Sequence, residues 1–231
     1  MEDKFRRCRA ILLDFGGTLD SDGEHWLDRF FELYEQAGLD CPREEIKRVF
    51  YLADETCCKN PEVDGLGLRE LMKYHVHLQF TALELRDRPG EEHLVEAFCS
   101  KTERVLRRNA LLLARLKDRY RLGVVSNFYG NVEVLCDEAG LSDHLDVILD
   151  STRVGLSKPD PGIFLLALNR MNAGPTETIF VGDSFERDIM PARSLGMKTV
   201  WLRGPNPRLP ENPGPVDCQI SSLPELESLL P

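Results

Sequence analysis

Ile11-Leu12-Leu13-Asp14-Phe15-Gly16-Gly17-Thr18-Leu19 runs from an apolar segment into an aspartate and a pair of glycines. A short apolar run bounded by turn residues reads as a buried strand, so Asp14 stands at a strand's carboxyl end. Three later segments repeat the design: Gly123-Val124-Val125-Ser126-Asn127, then Gly155-Leu156-Ser157-Lys158-Pro159-Asp160-Pro161, then Ile179-Phe180-Val181-Gly182-Asp183-Ser184-Phe185-Glu186-Arg187-Asp188. Each places polar groups just past an apolar stretch.

Working outward, five short runs rich in β-branched residues alternate with helical patterns: Ala10 to Leu13, Leu122 to Val125, Val147 to Leu149, Thr178 to Val181 and Thr199 to Leu202. A weaker sixth lies at Cys218 to Ile220. That alternation predicts a parallel sheet covered by helices, an α/β fold. Ligands of such sheets gather outside the carboxyl ends of the strands, where Asp14, Ser126 and Asp183 all fall.

Between the first two strands lie roughly a hundred residues with helical periodicity and no convincing strand, far too many for one crossover helix. They read as an inserted helical cap. Its helices are expected from about Trp26 to Ala37, Glu44 to Thr56, Leu68 to Phe80 and Glu91 to Leu106, with breaks at Gly38, Asn60-Pro61 and Pro89-Gly90. Phe30, Phe31, Leu33 and Tyr34 are expected to form cap core. The stretch from Arg203 to Val216 is proline-rich and aperiodic, and reads as an extended surface loop.

The chain has 231 residues, enough for one α/β domain with a smaller insertion. A formal net charge of −10 argues against general binding to nucleic acid or to an anionic membrane. The seven cysteines are odd in number and lack paired metal-type spacing, which argues against a disulfide framework and for a reducing cytoplasm. No segment reads as a signal peptide or a bilayer-spanning helix. The sequence leaves the oligomeric state open.

In order and spacing, the four segments resemble the motifs of the haloacid dehalogenase-like (HAD) superfamily, most of whose members are phosphatases. The resemblance covers nearly the whole chain. It implies a Rossmann-like core over residues 1–19 and 109–231, with a helical cap over 20–108. It also implies a Mg2+-dependent hydrolase of small phosphorylated metabolites. Asp14 would be the nucleophile, attacking phosphorus to give an aspartyl-phosphate, though alone it reads equally as a turn or capping aspartate. Ser126 and Lys158 would hold the phosphoryl group, against plainer readings as turn serine and exposed lysine. Gly17, Thr18 and Asn127 would contribute to binding and loop geometry. Asp14, Asp183, Asp188 and the Gly16 carbonyl would supply oxygen ligands suited to a hard dication, with Asp188 also readable as a helix N-terminal acid.

Gly16 departs from the pattern. In the family's phosphatases an aspartate stands there, protonating the leaving group and later activating water. Such a group contributes roughly 10² to 10⁴-fold. Three readings stay open: a phosphatase acting on good leaving groups or with an acid supplied elsewhere, a dehalogenase or phosphonate hydrolase, and a non-catalytic phosphate-binding protein. His25 is the most interesting substitute acid, with Asp20, Asp22 and Glu24 also close in sequence. Trp26, Arg29, Arg69, Lys73, Tyr74, His75 and His77 are the cap residues that could face a substrate. His75 and His77 do not share a helix face, which argues against their forming a metal site.

Overall fold

The computed structural model describes residues 4–86, 88–204 and 214–231. Six strands, Ala10–Leu13 (β1), Arg121–Ser126 (β2), Val147–Asp150 (β3), Thr178–Gly182 (β4), Lys198–Leu202 (β5) and Cys218–Ile220 (β6), form one parallel sheet in the order β3-β2-β1-β4-β5-β6. All six expected strands are present, most of them a residue or two longer. Every residue of β1 is buried. Its alternating side chains feed two cores: Ile11 and Leu13 join the larger cluster, which extends into the helical insertion, while Ala10 and Leu12 pack with Phe164 and Phe180 on the other face. That is why the run is apolar without a polar alternation.

β1 lies between β2 and β4, with Leu13 in register with both Val124 and Val181. The strand order reverses there, and this is the topological switch point at which open α/β sheets bind ligands. Asp14 is the first residue beyond it.

The insertion is built on four helices, Trp26–Gln36 (α1), Arg43–Lys59 (α2), Leu68–Ala82 (α3) and Arg88–Leu116 (α4). In α1, Trp26, Phe30, Leu33 and Tyr34 are buried, one stripe at helical spacing; Phe31 is half-buried beneath Arg43, 5.0 Å from its ring centre. Gly38, at φ +68°, and Asn60, whose Oδ1 accepts the Glu62 N–H, make the first two breaks. Pro89-Gly90 is not a break: the pair sits in the first turn of α4, where a missing N–H leaves no helical bond unmade. α4 also continues ten residues past the expected Leu106, so the chain crosses residue 108 without interruption. Residues 205–213 of the expected proline-rich loop lie outside the described residues.

The core helices are Val132–Glu138 (α5), Ser151–Val154 (α6), Pro161–Arg170 (α7), Met190–Ser194 (α8) and Leu226–Leu229 (α9). Asp160 caps α7, its carboxylate accepting the Gly162 N–H at 2.7 Å. All seven cysteines are free thiols, and among the described residues no helix is long and apolar enough to cross a membrane.

A buried ion pair within the insertion also holds the loop after β1. Asp20 and Arg29 stand 3.4 Å apart with side chains at most 2% exposed. Asp20 also accepts the Gly17 N–H and the Trp26 indole N–H, while Arg29 donates to Thr102 and to the Phe98 carbonyl. Burial raises the Asp20 carboxyl and lowers the Arg29 guanidinium, in each case outweighing their mutual attraction. Removing one partner strands the other, so Asp20→Ala is expected to destabilise the fold by about 3–5 kcal/mol, read as a lower midpoint in denaturant unfolding.

Candidate active site

Four segments converge at the carboxyl ends of β1, β2 and β4. Asp14 leaves β1 with its N–H bonded to the Val181 carbonyl, which fixes where its side chain begins. The Ser126 hydroxyl, at the end of β2, donates to Asp14 Oδ1 at 3.0 Å, and the Lys158 ammonium donates to the same oxygen at 2.6 Å. Both described bonds fall on Oδ1, which leaves Oδ2 as the oxygen available for attack.

Lys158 is held at its backbone by Asn127, whose amide donates to the Lys158 carbonyl and accepts its N–H, each at 2.8 Å. Its ammonium bridges onward to Asp188 Oδ1 at 2.7 Å. Burial alone would depress this lysine, but Asp14 and Asp188 reverse the effect and carry it above the usual lysine range. Asp188 is completed by the Ser184 N–H on its Oδ2. Asp188 thus sits in the first turn of the short helix Phe185–Ile189, as a helix N-terminal acid would, while its other oxygen turns inward to Lys158.

Asp14, Asp183 and Asp188 each bring a carboxylate oxygen to within 4.8 Å of the others. Burial, and then the charges of Asp14 and Asp188, push the Asp183 carboxyl well above the usual carboxylate range; burial also raises Asp188, despite the attraction of Lys158. A group of carboxylate oxygens that repel one another fits a hard cation, which would offset that repulsion.

Of the residues expected to contribute to binding and loop geometry, two shape the loop and one lines the cavity. Thr18 is fully buried and does not reach the cavity; its hydroxyl points to Asp183 at 3.5 Å. Gly17 is not a substrate contact either, since its N–H goes to Asp20 and its carbonyl to the Gly23 N–H. Asn127 lines the cavity, and its amide also holds the Lys158 backbone.

The two glycines differ in kind. Gly17 has φ +91°, and a Cβ there would lie 2.6 Å from Asp183 Oδ2. Gly16 has φ −73° and ψ 118°, open to any residue, and a Cβ there would meet only Phe128 at 3.6 Å and Trp26 at 3.9 Å. Gly17 is required by the backbone and by Asp183, whereas Gly16 is not. Gly17→Ala is expected to cost about 1–3 kcal/mol of strain and to weaken divalent-cation binding, measured by thermal unfolding with and without Mg2+.

The cavity around Asp14 measures about 260 Å³. One wall is aromatic: Trp26 stacks edge-on to Phe128 at 5.4 Å, and Phe128 touches Tyr129 at 4.7 Å. Arg187 and Ser184 from the segment after β4 also line the cavity, and α2 contributes Phe50, Asp54 and Cys58. These three α2 residues were missed by sequence reasoning, although their spacing of four places them on one helix face. Tyr129, two residues beyond Asn127, was also missed.

The sequence-near substitutes for the absent acid are engaged elsewhere. Asp20 is buried with Arg29, Asp22 pairs with Arg108 at 2.7 Å, and Glu24 pairs with Lys101 at 2.5 Å. His25 does line the cavity, but its Nδ1 accepts the Leu27 N–H at 3.1 Å and caps α1. His25 thus caps α1 as well as lining the cavity. Arg29 and His75 are buried in the cap. Arg69, Lys73, Tyr74 and His77 line a separate cavity of about 740 Å³ that includes none of Asp14, Ser126, Lys158, Asp183 or Asp188.

Comparison with known proteins adds an independent observation. The haloacid dehalogenase-like hydrolase pattern matches residues 8–196. Haloacid dehalogenase-like hydrolase domain-containing protein 3 of Bos taurus is 38% identical over 145 residues, 62% of this chain and 57% of that protein. Pyrimidine 5'-nucleotidase YjjG of Escherichia coli (strain K12) is 30% identical over 169 residues, 71% of this chain and 74% of the nucleotidase. The crystal structure of a dehalogenase with an intermediate complex superposes with a TM-score of 0.67 at 20% identity, covering 97% of this chain and 98% of that one, a likeness of fold alone.

Proposed function

The chain belongs to the haloacid dehalogenase-like hydrolases, and from that membership we propose that it is a Mg2+-dependent phosphatase of small phosphorylated metabolites, working in the cytoplasm through an aspartyl-phosphate on Asp14. The observation that carries this reading is the geometry of Asp14: Oδ1 pinned by Ser126 and Lys158, and a carboxylate cluster beside it.

In the proposed reaction Asp14 Oδ2 forms a bond to phosphorus as the bond from phosphorus to the ester oxygen breaks. Water then attacks the phosphoryl group, the bond to Asp14 breaks, and a proton passes to solvent. Ser126 and Lys158, which now bond Asp14, would donate to phosphoryl oxygens as charge gathers there. Asp14, Asp183 and Asp188, with the Gly16 carbonyl, would hold the cation, which when bound screens the repulsion between nucleophile and substrate. The aromatic wall and the cap limit water and substrate size.

The absent acid costs about 3–5 kcal/mol at the transition state for leaving groups that need protonation. The preferred substrates are therefore those that leave as weak bases, acyl and aryl phosphates. Phosphate release from acyl, aryl and alkyl phosphates, with Mg2+ and after chelation, tests this: turnover should require Mg2+ and rank acyl and aryl above alkyl. Turnover that survives chelation, or halide release from a haloacid under chelation, would overturn it in favour of carbon-halogen cleavage.

A further inference from the structure

One side of the cavity is defined by a cap carboxylate that the proposed hydrolysis does not use. Asp54, on α2, accepts at a single oxygen, Oδ1, from both the Tyr129 hydroxyl and His75 Nε2, the latter at 3.1 Å. The orientation of this contact is fixed from behind. Tyr34 donates to Gln79 Oε1 at 3.2 Å, and the Gln79 amide nitrogen lies 2.9 Å from His75 Nδ1. An amide nitrogen only donates, so His75 Nδ1 accepts and its proton sits on Nε2, directed at Asp54. His75 and Gln79 are fully buried, so the chain of donors has no solvent alternative. Burial, and then the Asp54 charge, keep the Tyr129 phenol protonated well above the usual tyrosine range, so it too acts as donor.

The result is a carboxylate locked at one oxygen, 27% exposed, and lining the same cavity as Asp14 and Lys158. We propose that Asp54 selects the leaving-group end of the substrate, favouring phosphate esters that carry a hydrogen-bond donor there, an ammonium or a hydroxyl, and excluding those that carry a second anion. Asp54 Oδ2 accepts from that donor, while a second carboxylate or phosphate would meet a like charge in a site of low dielectric. This rests on the phosphatase reading of the Asp14 cavity.

The test is equilibrium binding, by calorimetry in Mg2+, of three esters of matched length to the Asp14→Asn protein: phosphoethanolamine, hydroxyethyl phosphate and phosphoglycolate. The ammonium and hydroxyl esters should bind about tenfold to a hundredfold more tightly than the carboxylate ester. Adding Asp54→Asn, which preserves shape, should bring the three toward equality. Tyr129→Phe, which leaves the charge but releases one of its anchors, should reduce the preference in part. Equal binding before the Asp54 change, a preference that survives it, or no binding of any ester would each overturn the assignment. Turnover of p-nitrophenyl phosphate by the unmodified protein reports separately on the phosphatase reading.

Discussion

Asp14→Asn is expected to lower phosphate-ester turnover by about 10⁴-fold or more while leaving the fold intact. The asparagine side chain has the same shape, and its carbonyl oxygen can still accept from Ser126 and Lys158, which now bond Oδ1. What it lacks is an anionic oxygen able to form a bond to phosphorus. The substitution also removes one of the charges that raise Asp183, so relief of repulsion should offset the weaker attraction to the Lys158 ammonium. The unfolding midpoint should therefore move little. Steady-state kinetics with a parallel melt separates the two effects: a collapse in kcat at unchanged stability identifies the nucleophile. A modest fall in kcat would mean that water attacks directly, with Asp14 acting only as a cation ligand.

Gly16→Asp is expected to raise hydrolysis of alkyl phosphates by about 10² to 10⁴-fold and to change acyl phosphate hydrolysis little. The backbone at residue 16 already has φ and ψ that any residue adopts, and the added Cβ meets only ordinary contacts. Gly16 lines the same cavity as Asp14, so the new carboxyl enters beside the leaving group. A proton donor matters most where the leaving group is a strong base. The signature is thus a flattened dependence of kcat/KM on leaving-group basicity, measured across an aryl and alkyl series. An unchanged slope would show that some other group already supplies the proton, and that the glycine is incidental to the chemistry.

The sheet was legible because β1 and its partners are buried on both faces, which forces continuous apolar runs with polar residues only at their ends. The same logic located Asp14, Ser126 and Asp183 in segments far apart in sequence, because parallel strands bring their carboxyl ends together, and the family resemblance added Lys158 and Asp188. Helix ends were less legible. Pro89-Gly90 carries the composition of a break but sits where a first turn tolerates it, and α4 reads through the expected cap boundary because helical periodicity does not mark a change of domain. Pairwise contacts were not legible at all. Nothing in the sequence says that Thr18 faces Asp183, that Asn127 clamps the Lys158 backbone, or that Asp20 is buried against Arg29. Asp54 was hidden for another reason: an isolated acid in a charged helix looks like solvent-facing surface until Tyr129 and His75 are seen to close on it.

The most direct measurement of the central claim is to quench the protein in acid during turnover of an acyl or aryl phosphate with Mg2+ and to map any covalent phosphoryl group by peptide mass spectrometry. The account predicts a phosphorylated carboxylate on Asp14, absent from Asp14→Asn. Steady phosphate release with Asp14 unmodified at every quench time, or a phosphoryl group on any other residue, would contradict it.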